Sequence, residues 1–269
     1  MDLIRASILG IVQGLTEYLP VSSSAHLALV PKILGWDIPE NEAVVFNILV
    51  QMGTLVGVVS YFAKDLKAIA HAMIKDMLAG QPFKTADSRM GWYLGVATIP
   101  AGVAGLLVKP YIKEWFHSTR MIFAFLLVTA AILCVGELLA RGKRTQIRLV
   151  DAILIGCAQI LALMPGISRS GSTISMGVAL QLSKAAAARF SFLMSIPVML
   201  GAGILASRDL VAAPQILHEM LAPILVGALV AGVVGYLVIG WFLKFLTEHS
   251  LLWFAAYCGL VGITGLALC

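Results

Sequence analysis

Two short polar runs interrupt an otherwise apolar chain, and both hold residue types suited to phosphate chemistry. The first reads Gln13-Gly-Leu-Thr-Glu17-Tyr-Leu-Pro20-Val-Ser22-Ser23-Ser24-Ala-His26. Gln13 and Glu17 share a face if the segment is helical, making Glu17 a candidate metal ligand or acid–base group with Gln13 beside it. Carboxylate oxygens suit a hard cation such as Mg²⁺ or Ca²⁺. Ser23 and His26 are also neighbours on one helical face, and a hydroxyl beside an imidazole is the minimal activated-nucleophile pair. A plainer role is open to Ser22 or Ser23, as the N-cap of a helix restarting after Pro20. The second run reads Pro165-Gly166-Ile167-Ser168-Arg169-Ser170-Gly171-Ser172-Thr173. Gly166 permits close backbone approach. A helix beginning here would turn free N–H groups and a positive dipole end toward an anion. Arg169 adds a planar fork for phosphate oxygens, and Ser168, Ser170 and Thr173 add neutral donors. A structural bridge from Arg169 to Glu17 is the competing reading, and both can hold in the empty protein.

The elements that carry these runs belong in a membrane. Of 269 residues, 60% are hydrophobic and 12% charged, against about 25% charged in soluble domains. Mean hydropathy is +0.95. The net charge of +5 comes from bases in short loops, which reads as topology rather than as a nucleic-acid partner. Cys134, Cys157, Cys258 and Cys269 lie in apolar runs without a CxxC pair, so they read as small buried hydrophobes. The N-terminus lacks the basic cluster of a cleaved signal peptide. Neither a Walker-type run nor a zinc-binding His-Glu-x-x-His helix occurs.

Stretches 43–62, 91–108, 120–140, 186–206, 221–243 and 250–269 are long enough to cross a bilayer, for which about 20 residues are needed. Segments 3–35 and 150–183 are apolar but broken, by Pro20 and by Pro165-Gly166. Paired half-helices around such breaks predict re-entrant hairpins. Lys64, Lys67, Lys75, Lys84 and Arg89, together with Arg141, Lys143, Arg144 and Arg148, mark the cytoplasmic side. The acidic linker 36–42 then lies outside, as does the loop 207–220, and the first hairpin enters from outside. The stretch 63–90 is too polar to span and reads as a cytoplasmic amphipathic turn. Glu137 and Arg141, four apart, are expected to pair at a helix end.

The halves echo each other. ILGIVQ at 8–13 is similar to ILIGCAQ at 153–159, and AGVAGLLV at 101–108 matches AGVVGYLV at 231–238 at six of eight positions. Phe46 pairs with Phe190, Gly57 with Gly201, and the Pro breaks fall in the same order. One hairpin and three crossings per half invert the second copy. The expected fold is therefore an all-α integral membrane protein with an inverted-topology repeat. It has about six transmembrane helices and two re-entrant helical hairpins in a single domain over 1–269, with halves at about 1–140 and 150–269.

At these residues the chain resembles the undecaprenyl-diphosphate phosphatases of the bacitracin-resistance type. The first run is similar to that family's (Glu/Gln)-x-x-x-Glu followed by Pro-Val-Ser-Ser and His. The second is similar to its Pro-Gly-x-Ser-Arg-Ser-x-x-Thr. Gln13 stands where some members carry Glu, which leaves a two-carboxylate role open, and Ala25 stands where others have Gly. The resemblance implies a divalent-cation-dependent enzyme of the bacterial plasma (inner) membrane, with its active site facing outward. It would hydrolyse undecaprenyl diphosphate to the monophosphate, recycle the lipid carrier of cell-wall synthesis and confer bacitracin resistance when abundant. Glu17, Ser23, His26 and Arg169 would be catalytic. Ser22, Gly166, Ser168, Arg169, Ser170 and Thr173 would bind phosphate, and Glu17 with Gln13 would hold the metal. Three nucleophiles remain open: Ser23 with His26 as base, His26 itself, or a metal-bound water. The residues also leave open a homodimer and a transporter or lipid flippase on the same scaffold. A structural, partner-binding membrane protein is the third class.

Overall fold

A computed structural model describes residues 1–211 and 218–268, with backbone alone for 109–117 and 205–211. Cys269 and residues 212–217 of the expected loop 207–220 lie outside the described residues, and 207–211 belong to a helix instead. The described chain is all helical. Helix α1 (Leu3–Tyr18) starts at Asp2, whose carboxylate accepts from Arg5 N at 2.8 Å. It stops just before Pro20, which cannot continue the backbone ladder. After a tight turn come α2 (Ser23–Ile33), α3 (Glu40–Tyr61), α4 (Ala63–Leu78), α5 (Ala86–His117) and α6 (Thr119–Leu138). The second half runs through α7 (Leu149–Ala158), a 3-10 turn at Gln159–Leu163, α8 (Arg169–Ala179), α9 (Lys184–Val211), α10 (Leu221–Glu248) and α11 (Leu252–Leu268).

Among the described residues, five helices are long and apolar enough to cross a membrane, with spans at Glu40–Tyr61, Ala86–Val108, Thr119–Leu138, Lys184–Ile204 and Leu221–Glu248. The sixth expected crossing, 250–269, is α11, at 17 residues shorter than the others. At 1.5 Å per residue it extends about 25 Å. The polar stretch after α3 is more ordered than a turn. Residues 63–78 form the amphipathic helix α4, and Asp76 closes the following loop by accepting from Thr85 N and Oγ1 at 2.8 and 2.7 Å. Those two donors hold its carboxyl below the usual carboxylate range.

Helix α10 lies between α1 and α3. Small residues set the approach: a Cβ on Gly53 would fall 2.0 Å from Ala228 O. In the second half, a Cβ on Gly156 of α7 would fall 2.5 Å from Ala97 O of α5. Close backbone contact of this kind replaces hydrophobic driving force between helices in lipid.

Charged groups gather at two ends. At one end the N-terminal ammonium meets Glu42 at 3.0 Å, and Lys32 of α2 donates to Thr119 of α6. At the other, Arg189 pairs with Asp65 and Lys184 with Glu137, both at 2.6 Å, while Glu137 also accepts from Leu251 N. The expected Glu137–Arg141 pairing is replaced by Glu137–Lys184. Helix α6 ends at Leu138, so Arg141 leaves the helical face that the four-residue spacing presumed.

Candidate functional site

The broken segments meet at their breaks. Glu17, in the last turn of α1, pairs with Arg169, the first residue of α8, through an Oε1–Nη2 contact of 2.9 Å. The carboxylate is 5% exposed and the guanidinium 14%. Removing one partner of such a pair would leave an unmatched buried charge, at about 3–5 kcal/mol. Glu17 Oε2 accepts from Gln13 Nε2 at 2.9 Å and from Ser23 Oγ at 2.8 Å. One carboxylate thus gathers the amide, the hydroxyl and the guanidinium singled out from sequence. The Arg169 cation also sits over the Tyr18 ring, 5.8 Å from its centroid, and Nη1 reaches Ser191 O at 3.4 Å.

Each helix that restarts here does so differently. Ser168 caps α8, its Oγ accepting from Gly171 N at 3.1 Å, so the hydroxyl satisfies one of the N–H groups that open the helix. Gly166 holds φ at 106°, and a Cβ there would lie 2.4 Å from Ile122 O. Thr129 of α6 staples this turn, donating to Gly166 O at 2.9 Å and accepting from Ser168 N at 3.0 Å. Ser170 Oγ donates to Leu19 O at 3.0 Å, tying α8 to the other break. Thr173 Oγ1 meets Ser191 Oγ at 2.6 Å. On the first break, α2 has no side-chain cap, and Ser22 holds φ at 69° without being glycine. Backbone strain of this kind costs about 1–3 kcal/mol. Ser24 Oγ accepts from Gly166 N at 3.4 Å, so the two turns touch.

The expected Ser23–His26 couple does not form. Ser23 turns to Glu17, whereas His26 Nδ1 lies 2.8 Å from Ser22 O and Nε2 lies 2.7 Å from the Tyr257 hydroxyl. Neighbouring positions on a helix face give proximity but leave each side chain free to choose its partner, and the carboxylate is the stronger acceptor for a hydroxyl.

For a divalent cation, the described residues hold no cluster of three or more His, Cys, Asp or Glu side chains. The oxygens present are Glu17, Gln13 Oε1 and the serines. One carboxylate plus neutral oxygens fits an ion whose remaining ligands come from a diphosphate and water. Among the cysteines, Cys258 is buried as expected, whereas Cys157 is exposed.

Sequence reasoning missed Tyr257, Thr129, Ser191 and Tyr18. Hydroxyls inside apolar crossings were the available signal for Thr129 and Ser191. Gln159, expected only as an echo of Gln13, is 2% exposed, and neither atom of its amide finds a partner.

Comparison with known proteins agrees with the motifs. The family described as bacitracin resistance protein BacA matches residues 6–264. A protein of Chloroherpeton thalassium named undecaprenyl-diphosphatase is 42% identical, covering 100% of this chain and 97% of its own. Proteins of the same name from Myxococcus xanthus and a Nocardioides species are 40% and 38% identical, each over 100% of this chain and over 89% and 97% of theirs. The chain belongs to the BacA family of bacitracin resistance proteins.

Proposed function

We propose that the chain hydrolyses undecaprenyl diphosphate to undecaprenyl phosphate and inorganic phosphate, recycling the lipid carrier for cell-wall synthesis. The observation that carries this reading is the Glu17 carboxylate, shared by Arg169 of one break and Ser23 of the other. A diphosphate at the junction would draw Arg169 toward its oxygens. The N–H groups that open α8 and the Ser168 and Ser170 hydroxyls would complete the cradle. Glu17, released from the guanidinium, would then be free to take a proton.

Of the three nucleophiles, Ser23 is supported by its 2.8 Å bond to Glu17. In this route Ser23 Oγ attacks the terminal phosphorus while its proton passes to Glu17 Oε2. The bridging P–O bond breaks and undecaprenyl phosphate leaves. Water then attacks the phosphoserine, Glu17 returns its proton to Ser23 Oγ as the P–Oγ bond breaks, and the water's oxygen and protons leave in inorganic phosphate. Attack by His26, or its use as base, would first require Tyr257 to yield Nε2. Glu17 and Gln13 Oε1 are the residues that would hold Mg²⁺ or Ca²⁺, and such an ion would offset charge on the phosphoryl group.

The packing also supports the inverted repeat over a single domain. Helix α1 packs on α10 as α7 packs on α5, and α3 meets α9 across the halves. Helices α1 and α2 run from the break to the end holding Glu42, whereas α7 and α8 run to the opposite end, where Arg144 joins Asp151 to Leu180 O. Two re-entrant hairpins from opposite faces of the plasma membrane account for this. The positive-inside rule then turns the Glu42 end, and the mouth of the first hairpin, outward. Because the same architecture serves carriers, lipid return by the same protein is the second reading.

Purified protein in detergent should release phosphate from undecaprenyl diphosphate, and a chelator should stop it. Folded protein that releases none would overturn the hydrolase reading in favour of the carrier. Trapping a phospho-adduct on Ser23 would support the serine route, and an adduct on His26 would remove it.

A further inference from the structure

His26 is tied down by a residue 231 positions along the chain. The Tyr257 hydroxyl of α11 lies 2.7 Å from His26 Nε2, and the two rings stack with centroids 5.7 Å apart and planes 11° from parallel. On the other side of the imidazole, Nδ1 lies 2.8 Å from Ser22 O. A carbonyl oxygen can only accept, so Nδ1 carries the hydrogen. In the neutral ring Nε2 is then the acceptor and the Tyr257 hydroxyl donates to it.

The chain of contacts continues into the site. Ser22 O also accepts from His26 N at 3.3 Å, so ring and backbone of one residue grip one carbonyl. That carbonyl belongs to the residue with φ at 69°, a conformation that persists only when its surroundings over-determine it. The next residue, Ser23, donates to Glu17. Helix α11 packs chiefly on α6. Its described bonds to this turn and α2 are Tyr257 to His26 and the buried Cys258 Sγ to Pro20 O at 3.7 Å.

We propose that Tyr257 is a positioning residue for the reaction. From α11 it donates to Nε2 and anchors the His26 ring, whose Nδ1–H tautomer the Ser22 carbonyl sets, and through that carbonyl it holds the strained turn that aims Ser23 at Glu17. This rests on the hydrolase reading above.

The test is Tyr257→Phe, which keeps the stacked ring and removes the donor. In detergent, kcat on undecaprenyl diphosphate should fall roughly threefold to tenfold, the worth of one neutral hydrogen bond, with KM unchanged. In ¹⁵N-histidine-labelled protein, the His26 signals, assigned by their loss in His26→Asn, should show Nε2 moving toward the shift of an unbonded acceptor nitrogen while Nδ1 stays protonated. Tyr236→Phe, an exposed tyrosine of α10, should move neither readout. An unchanged kcat, an effect confined to KM, or unmoved His26 signals in Tyr257→Phe would each overturn the proposal. If the wild type itself releases no phosphate, the hydrolase reading falls. The nitrogen signals alone then decide whether Tyr257 locks His26: a shift upholds the lock, and unmoved signals discard it.

Discussion

The two broken segments solve one backbone problem with different chemistry. Both must turn the chain sharply between short helices and leave the start of the second helix facing the junction. In α7–α8, glycine takes the left-handed position at Gly166, Ser168 caps the helix, and Thr129 staples the turn from α6. In α1–α2 a serine takes that conformation, no side chain caps α2, and the turn is held through His26 from α11. The charges differ too: the first segment supplies the acid, Glu17, and the second the base, Arg169. Gln13 has that acid four residues on and bonds to it, whereas Gln159 has Leu163 there and bonds to nothing described. A turn relaxed by sequence would suit the proposed anion cradle, and a turn strained and braced from outside would suit the proposed nucleophile, whose aim must be held.

The largest expected effect tests the charge that joins the segments. Arg169→Ala should lower kcat/KM by a factor corresponding to about 2–4 kcal/mol of transition-state stabilisation, and near-normal turnover would remove Arg169 from the site. Next comes the clasp at the far end of the second segment. Arg144 bonds both oxygens of the 5%-exposed Asp151, at 2.5 and 2.8 Å, and also Leu180 O. Arg144→Ala should cost about 3 kcal/mol of stability in detergent, more than Glu42→Ala at the first segment's end, where Glu42 is 26% exposed. The turns themselves should then diverge. Gly166→Ala should destabilise by about 2 kcal/mol, from positive φ and the clash with Ile122 O, while Ser22→Gly should not destabilise at all. Equal losses in the two variants would erase the contrast between a relaxed and a braced turn. The smallest effect separates the glutamines. Gln13→Leu should cost about 1.5 kcal/mol by stripping a donor from a buried carboxylate, whereas Gln159→Leu should be neutral or slightly stabilising. Thermal unfolding of the pair measures the difference.

Much of this was legible in the chain. Apolar runs located the crossings because lipid tolerates few charges. Pro20 and Pro165-Gly166 located the breaks because proline cannot extend a helix and glycine frees it. Gln13, Glu17 and Ser23 were found together because polar groups in such a chain are few and each needs a reason. Partner choice was less legible. Spacing placed Ser23 beside His26 and Glu137 beside Arg141, yet Ser23 bonds to Glu17, and Glu137 to Lys184. The amphipathic pattern of 63–78 was visible, but its extent as a full helix depended on α5 folding back against it.

The sequence by itself determined the membrane class, the two polar breaks and the family motifs, because composition, proline chemistry and local spacing act over a few residues. Only the tertiary structure decided that Arg169 reaches Glu17, that Thr129 staples the second turn, and that Tyr257 holds His26. Each of those contacts joins residues far apart in the chain. Nothing in local spacing encodes which helix face will meet which, since that is settled by close packing of whole helices against one another.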